Sequence, residues 1–488
     1  MRCLIENIDA LYTCDERDRV LKNAWILIED TRIAALGVGH PPTGEFETRI
    51  DLMGSIAMPG LINTHHHFFQ TLTRALPMAQ RGQLLDWLAV LYPVWGAMNP
   101  EDLAAAAAAT TAELLLTGAT TSVDHFYLVP RCDQAFLAAE VEAVRKSGIR
   151  LHLVRGSMTA IEGNLENRLS KLLGPRAGGI IDEPEPVVAS MRETVERYHE
   201  PRSGSFLTVA LGPTTPTYND VDFMKSVART AGELGVGIHM HVHPQPHERL
   251  LCRERFGKTP IELLDTVGLL GPRTWFAHST RLDDADMKLL SARGVGVAHC
   301  PRMILRLGAR IPYIHRMRST GMRVAVGIDG GASNDSGSML GEMRLALLLH
   351  RLTDGGAEVS HEQWMTPYDV LLMSTRIAAS IIGRDDIGFI GPGMCADVSA
   401  FDMRGVGFAG ARSDLLSGLL LAGDDTRASL TMVAGKPLVR DGRLLEQDEY
   451  VLRDAADCAT ERVLARASAI TGADYFESRI EPSQRQTR

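Results

Sequence analysis

Several histidines of this chain recur two residues apart, a spacing that places their side chains on one face of a β-strand. The first pair is His65 and His67, and a longer series occupies alternate positions of the segment His239–His243. Neutral imidazoles are good ligands for zinc and similar ions, and a carboxylate such as that of Asp329 completes a site that leaves one position for water. A bound ion lowers the pKa of that water, and the carboxylate can accept its proton. These residues therefore predict a metal-dependent hydrolytic site.

Eight apolar, strand-like runs alternate with segments long enough for helices, and the histidines and the aspartate lie near the ends of some of these runs. This alternation predicts an α/β fold, a parallel (β/α)8 TIM-like barrel, in which the C-terminal strand ends form the mouth of the active site. Residues far apart in sequence, including His278 in the sixth run, are thus expected to meet there. The runs are Ala57–His67, Ala119–Phe126, Ile149–Met158, Leu207–Pro213, Val236–His243, Thr274–Thr280, Gly294–Pro301 and Met322–Gly330.

Both ends of the chain carry hairpin-like signals instead, with Trp25–Glu29 and Arg32–Gly37 near the start and Asp397–Asp402 and Leu430–Arg440 near the end. Short strands separated by turn residues are typical of antiparallel sheets. We therefore expect a small β-sandwich domain formed by both chain ends. The predicted organisation is 1–56 for its first part, 57–390 for the barrel, 391–450 for its second part, and 451–488 for a C-terminal helix and polar tail.

Composition limits the class of function. A chain of 488 residues with 45% hydrophobic residues can bury a large core, and its formal net charge of −9, without a long Lys/Arg run, argues against a nucleic-acid-binding surface. No run approaches the roughly 18 apolar residues needed to cross a bilayer, and the N-terminus lacks a secretory pattern. Seven scattered cysteines form no Cys-x-x-Cys pair. We expect a cytoplasmic enzyme with a small-molecule substrate and no nucleic-acid or membrane partner.

Motifs around the predicted strand ends carry a family resemblance. Pro59–His67, His239–His241, Ala277–His278, Ala298–Pro301 and Gly327–Asp335 are similar to motifs of the amidohydrolase superfamily. The resemblance is closest to the branch of 8-oxoguanine deaminases, isoxanthopterin deaminases and triazine (hydroxyatrazine-type) hydrolases, and it also covers Thr120–His125 and the split β domain. It implies a zinc-dependent hydrolase that removes an amino or similar group from a purine-, pterin- or triazine-like nitrogen heterocycle.

The same resemblance implies roles for individual residues. One metal ion per chain, zinc with Fe²⁺ as an alternative, would be held by His65, His67, His241 and Asp329. Asp329 would also act as the base, and His278 would polarise the attacked centre or the water. The fourth run contains no lysine, which disfavours the carbamylated-lysine bridge of binuclear relatives. Because homo-oligomers are common among relatives, a homo-oligomer is expected.

The family pattern breaks at the fifth predicted strand. Deaminases of this branch read His-x-His-x-x-Glu, and their glutamate passes a proton to the ring and the leaving amine. Pro244 stands at that position and can neither donate nor accept a side-chain proton. We favour His243 as the replacement, because it shares a strand face with His241 and imidazole titrates near neutral pH. Glu248 and His247 are the alternatives.

Other functions are also compatible with the absence of the glutamate. A substrate whose leaving group departs without a proton, such as a chloro-triazine, or a cyclic amide opened by the same scaffold, would not need the glutamate. A metal-containing but catalytically silent binding protein is a further alternative.

Candidate substrate contacts come from polar and aromatic side chains near the motifs. Gln70 is placed to hydrogen-bond a ring carbonyl, and Trp87 to stack on a flat ring, although helix packing explains such aromatic residues equally well. Arg302 is a candidate partner for an anionic substrate. Further candidates of these kinds are Tyr92, Trp95 and Arg306. The remaining histidines of interest are interpreted as hydrogen-bonded core residues, namely His152, His299 and His315.

Overall fold

Two β-sheets organise the chain in the computed structural model, which describes residues 2–160, 171, 180–242, 248–423 and 426–476. The first strands belong to a sheet made from both chain ends. They are β1 (Arg2–Tyr12), β2 (Val20–Glu29), β3 (Arg32–Val38), β4 (Thr48–Asp51) and β5 (Ser55–Pro59).

The barrel strands follow in sequence order, and each pairs in parallel with the next. They are β6 (Leu61–Asn63), β7 (Ala119–Phe126), β8 (Arg150–Ser157), β9 (Leu207–Pro213), β10 (Gly237–Val242), β11 (Thr274–His278), β12 (Gly296–His299) and β13 (Arg323–Val326). The amide and the hydroxyl of Thr64, which follows β6, donate to the carbonyl of Val326 at the end of β13, at 3.3 and 2.8 Å. These bonds join the first strand to the last, and the predicted TIM-like barrel is confirmed.

The end sheet is completed by β14 (Val398–Asp402), β15 (Leu430–Val433), β16 (Lys436–Arg440) and β17 (Arg443–Leu444). Its nine strands run in the order β17-β16-β15-β14-β5-β1-β2-β3, with β4 beside β1, and most neighbours are antiparallel. Both chain ends therefore contribute to one sheet, as the hairpin signals predict.

The predicted first strand, Ala57–His67, differs from the observed structure because it divides between the two sheets. Its first part belongs to β5, which pairs with β14 and β1, whereas Leu61–Asn63 pairs with β7 in the barrel. The chain passes from one sheet to the other at Gly60, where a Cβ atom would collide with the side chain of Thr120. Glycine is required by this close approach.

Helices fill the connections between the barrel strands. Asn99 and Asp102 form a capping box at the start of the helix Pro100–Leu116. Within the described ranges no helix is both long and apolar enough to cross a lipid bilayer. The predicted tail, 477–488, lies outside the described residues. The helices are α1 (Leu84–Trp95), α2 (Pro100–Leu116), α3 (Gln134–Ser147), α4 (Pro184–Tyr198), α5 (Val221–Leu234), α6 (Glu248–Phe256), α7 (Pro260–Thr266), α8 (Asp284–Arg293), α9 (Pro301–Arg306), α10 (Ile314–Ser319), α11 (Met339–Leu352), α12 (Pro367–Met373), α13 (Arg376–Ile381), α14 (Leu415–Ala422) and α15 (Glu449–Thr471).

A buried ion pair links the barrel to the end sheet. Arg150, at the start of β8, donates from Nε and from a terminal nitrogen to the two carboxylate oxygens of Asp397, at 2.7 and 3.0 Å. Asp397 precedes β14 and also accepts a hydrogen bond from the amide of Ala434 at 2.8 Å. Both charged side chains are almost fully buried, so each is satisfied only while the other is present.

We expect Asp397→Asn to lower the free energy of unfolding by about 3–5 kcal/mol, because it leaves the guanidinium of Arg150 buried without a full counter-charge. Chemical denaturation monitored by tryptophan fluorescence measures the change. Asp454→Asn is the matched control, because its partner Arg453 is exposed and the stability should stay close to that of the wild type. Equal effects of the two substitutions would contradict the linking role.

Candidate metal centre and active-site cavity

The predicted metal ligands lie together at the C-terminal end of the barrel strands. His65 and His67 follow β6, His241 lies in β10, and Asp329 follows β13. Nε2 of His65 and Nε2 of His67 each lie 3.5 Å from Oδ1 of Asp329, and Nε2 of His67 lies 3.1 Å from Nε2 of His241. All of these side chains are buried. The arrangement gathers three imidazole nitrogens and one carboxylate oxygen around a single point.

His278 borders this group at the end of β11. Its Nε2 lies 3.8 Å from Oδ2 of Asp329, and its ring is stacked beside that of His241, with centroids 5.5 Å apart. His278 and Asp329 both have φ near 71°, in the left-handed region that non-glycine residues rarely adopt. Such strain persists where the surrounding structure requires it, often at functional sites. Here it turns both side chains out of regular strand geometry.

Hydrogen bonds to main-chain carbonyls fix which nitrogen of each ring carries the proton. Nδ1 of His67 donates to the carbonyl of His125 at 2.7 Å, and Nδ1 of His241 donates to the carbonyl of Thr214 at 2.8 Å. A neutral imidazole has one N–H, so each Nε2 keeps its lone pair. Both lone pairs are therefore available to a metal ion, as in metal sites where an outer hydrogen bond sets the tautomer.

The tautomer of His65 is set through a second histidine. Nδ1 of His239 donates to the carbonyl of Trp275 at 2.9 Å, so its Nε2 accepts the proton of His65 Nδ1 at 2.8 Å. Nε2 of His65 has no hydrogen-bond partner among the residues that the structure describes, and it is buried. A buried nitrogen whose lone pair lies beside Asp329 fits the role of a metal ligand.

Burial keeps these histidines neutral. Loss of solvation, followed by repulsion from neighbouring imidazoles, lowers the pKa of His65 and His241 well below the usual value. Burial also lowers the pKa of His278 to about 4. Burial opposes ionisation of Asp329, but the adjacent histidines and the amide of Gly330 outweigh it and lower the pKa. Neutral imidazoles with one carboxylate form a donor set that fits zinc, and Fe²⁺ is compatible with it.

A cavity of about 130 Å³ opens above this group. Gln70 and Trp87, two of the predicted substrate contacts, line it. Within the described part of the chain, Oε1 of Gln70 and Nε1 of Trp87 are buried polar atoms without hydrogen-bond partners. A Cβ atom on Gly330 would collide with the Gln70 side chain, so glycine is needed for this amide to lie against the Asp329 turn. A cavity of this order accommodates a small aromatic ring.

Arg302 occupies a different position from the one expected of a substrate contact. It does not line the cavity, and its Nε and its amide donate to the buried carboxylate of Glu342, at 3.1 and 3.2 Å. Arg306 pairs similarly with Asp335 at 2.9 Å. These arginines stabilise the segment after Asp329. Other arginines provide the cationic side chains that line the cavity.

Some of the remaining residues that the sequence analysis named line the cavity, and others form contacts elsewhere. Tyr92 lines the cavity, whereas the indole of Trp95 donates to Oγ1 of Thr73 at 3.0 Å. The carboxylate of Glu248 is buried and lines the cavity. His243, Pro244 and His247 lie outside the described residues.

The three histidines interpreted as core residues each make a hydrogen bond: His152 with Thr208, His299 with His350, and His315 with the carbonyl of His350.

Several residues at the site were not found from the sequence. His125 lies next to the end of β7, is fully buried, and brings a ring nitrogen within 4.8 Å of nitrogens of His67 and His241. The rule that strand ends form the mouth would have found it, because β7 was predicted with the observed boundaries. The rule also covers lining residues just beyond strand ends, namely Tyr127, Thr214 and Arg281.

Comparison with known proteins agrees with this geometry. The model of the amidohydrolase family matches residues 56–438. The chain belongs to the amidohydrolase family. It is 36% identical over 447 residues to the 8-oxoguanine deaminase of Pseudomonas aeruginosa, covering 90% of this chain and 94% of that protein. It is 32% identical over 471 residues to the hydroxydechloroatrazine ethylaminohydrolase of Pseudomonas sp. (strain ADP), covering 93% and 94%.

A solved amidohydrolase-fold structure extends the comparison to three dimensions. Atrazine chlorohydrolase from Arthrobacter aurescens TC1, complexed with zinc, superposes with a TM-score of 0.82 at 30% identity, over 96% of this chain and all of that one. The barrel and the sheet from both chain ends are thus the shared architecture of this amidohydrolase and its relatives.

We expect His239→Phe to weaken zinc binding roughly 10- to 100-fold, the usual effect of losing an outer hydrogen bond to a metal ligand. Phenylalanine can still stack on Trp275, whose ring lies 4.5 Å from that of His239, but it cannot accept the proton of His65 Nδ1. Competition with a chromogenic chelator measures the affinity of the metal-depleted protein.

His152→Phe is the matched control, because His152 also contacts the Trp275 ring but hydrogen-bonds Thr208 instead of a ligand. Its zinc affinity should match that of the wild type. An unchanged affinity in His239→Phe would show that His239 does not position His65.

Proposed function

We propose that this amidohydrolase is a mononuclear zinc-dependent enzyme that hydrolyses an amino or similar substituent from a nitrogen heterocycle. The observation that carries the proposal is the convergence of His65, His67, His241 and Asp329 on one point at the base of a ring-sized cavity. Related proteins support the chemistry, since they include deaminases named for 8-oxoguanine and 5'-deoxyadenosine and an ethylaminohydrolase named for a triazine.

The ion would be held by these four residues and, when bound, would supply Lewis-acid activation of a water molecule. Asp329 is the proposed base: its carboxylate stays ionised, and Oδ2 faces His278 at 3.8 Å. The carboxylate would accept a proton from the attacking water and return it as the product forms. His278 is neutral, so it would donate a hydrogen bond to the attacked centre instead of repelling the ion.

Gln70 and Trp87 are proposed to recognise the ring, because both residues line the cavity. Arg302 is proposed to have an indirect role. It shares the carboxylate of Glu342 with Asn334, whose side-chain amide donates to Glu342 at 2.9 Å and to the carbonyl of Ile328. This network holds the turn that carries Asp329, so Arg302 is a positioning residue.

The proton for the leaving group needs a carrier, since Pro244 stands where related deaminases have glutamate. We propose His243 for this role from strand periodicity, with Glu248, whose carboxylate lines the cavity, as the alternative. A leaving group that departs without protonation, as in the displacement of chloride from a triazine ring, is the second candidate reaction. A cytoplasmic, homo-oligomeric enzyme is the setting we propose for either reaction.

We expect Asp329→Asn to lower turnover roughly 10²- to 10⁴-fold on any ring from which the wild type releases ammonia or an amine. The substitution keeps the size of the side chain but removes the base, so metal content must be measured beside the rate. Asp335→Asn is the control, because Asp335 lies in the same loop but pairs with Arg306 and the amide of Ala75. Near wild-type turnover of metal-loaded Asp329→Asn would refute the mechanism, and two tightly bound ions per chain would refute the mononuclear assignment.

The proton carrier is tested by His243→Ala and Glu248→Gln. Loss of the carrier should depress turnover roughly 10²-fold or more without loss of metal. We expect this effect in His243→Ala, with partial recovery in His243→Glu. The same loss in Glu248→Gln alone would assign the role to Glu248. Unchanged rates in both variants would favour a leaving group that needs no proton.

A further inference from the structure

Two arginines line the active-site cavity, and both lie on loops that follow adjacent barrel strands. Arg281 comes three residues after His278 at the end of β11, and Arg310 lies in the connection after β12 and α9. Neighbouring strands of a parallel barrel end at the same rim. Both side chains therefore border the cavity that opens above the proposed metal centre.

Neither arginine has a carboxylate partner among the residues in the described ranges. The guanidinium of Arg310 is held by neutral groups: it donates to Tyr313 Oη and, at 3.1 Å, to the carbonyl of Gly355, and it lies 5.0 Å from the centroid of the Tyr313 ring. Arg281 is partly buried, and burial followed by repulsion from Arg310 lowers its pKa. The two positive charges thus repel each other, and no ion pair with a described residue offsets either of them.

Other arginines at this end of the barrel behave differently. Each forms an ion pair with an aspartate or glutamate: Arg249 with Asp283 and Asp286, Arg302 with Glu342, Arg306 with Asp335, Arg316 with Asp284, and Arg318 with Asp369. Arg281 and Arg310 line the cavity and form no such ion pair with the described residues. An uncompensated, pre-positioned pair of this kind is the usual form of a site for an anion.

We propose that Arg281 and Arg310 form an anion subsite of the active-site cavity, and that the heterocyclic substrate carries a carboxylate. The inference rests on the proposed hydrolysis of a heterocycle and specifies its substrate class. A carboxylate is favoured over a phosphate because it is the smaller anion, and it must share a cavity of about 130 Å³ with the ring that carries it. Of the acidic residues in the lining, Asp329 is assigned to the metal centre and Glu248 is the alternative proton carrier.

Binding is tested first, without turnover. Zinc-loaded protein is titrated calorimetrically with isonicotinate and with isonicotinamide, which share a ring and differ in charge. We expect isonicotinate to bind roughly 10- to 100-fold more tightly, the range for charged hydrogen bonds, and this preference to vanish in Arg281→Gln/Arg310→Gln. Arg318→Gln, which breaks an ion pair with Asp369 outside the cavity, should keep it. Equal binding of the two compounds by the wild type, or a preference that persists in the double variant because the carboxylate binds elsewhere, would overturn the subsite.

Turnover separates this inference from the proposed function. Amino-substituted pteridine, purine and s-triazine carboxylates and their carboxamides are assayed for release of ammonia. The expected result is a lower KM for the carboxylate of the reactive ring, lost in the double arginine variant with little change in kcat. Release from carboxamides and carboxylates with equal KM would refute the subsite but keep the hydrolase, whereas selective binding of isonicotinate without any hydrolysis would keep the subsite and count against the hydrolase.

Discussion

The histidine cluster at the barrel mouth can exist only while its rings are uncharged. The rings of His65, His67 and His241 have centroids 4.8 to 5.1 Å apart and are buried, so little solvent is present to screen a charge. An imidazolium ion there would lose its hydration and repel its neighbours at low dielectric. A set of neutral rings has a further requirement, because each ring has one N–H that must point away from the common centre. The fold must therefore provide an acceptor for every outward proton.

Those acceptors come from neighbouring strands, so the histidine cluster depends on the register of the barrel. The carbonyls of His125 and Thr214 lie at the C-terminal ends of β7 and β9, and the carbonyl of Trp275 lies in β11. Closure between β6 and β13 adds the last constraint, since the amide of Asp329 donates to the carbonyl of His65 at 2.9 Å. A shift of one residue between any two of these strands would direct an N–H toward the ion site. The arrangement of the histidine rings and the register of the barrel strands thus depend on each other.

This dependence explains which features could be predicted from the sequence. The proximity of His65, His67, His241, His278 and Asp329 could be predicted because strand periodicity and strand ends are local signals, and the barrel brings strand ends together. The division of the first strand at Gly60 could not be found, because its two halves are equally apolar and equally buried. Only the three-dimensional approach of Thr120 shows why the chain changes sheets there.

The arginines show more clearly what cannot be predicted from the sequence. Sequence spacing drew attention to Arg302 and Arg306 because both follow a family motif, yet these two meet Glu342 and Asp335 across the loop. Arg281 and Arg310 differ from them only in lacking such partners, and a missing partner has no signature in the chain. A charge becomes a binding site through what surrounds it, which a linear pattern cannot express.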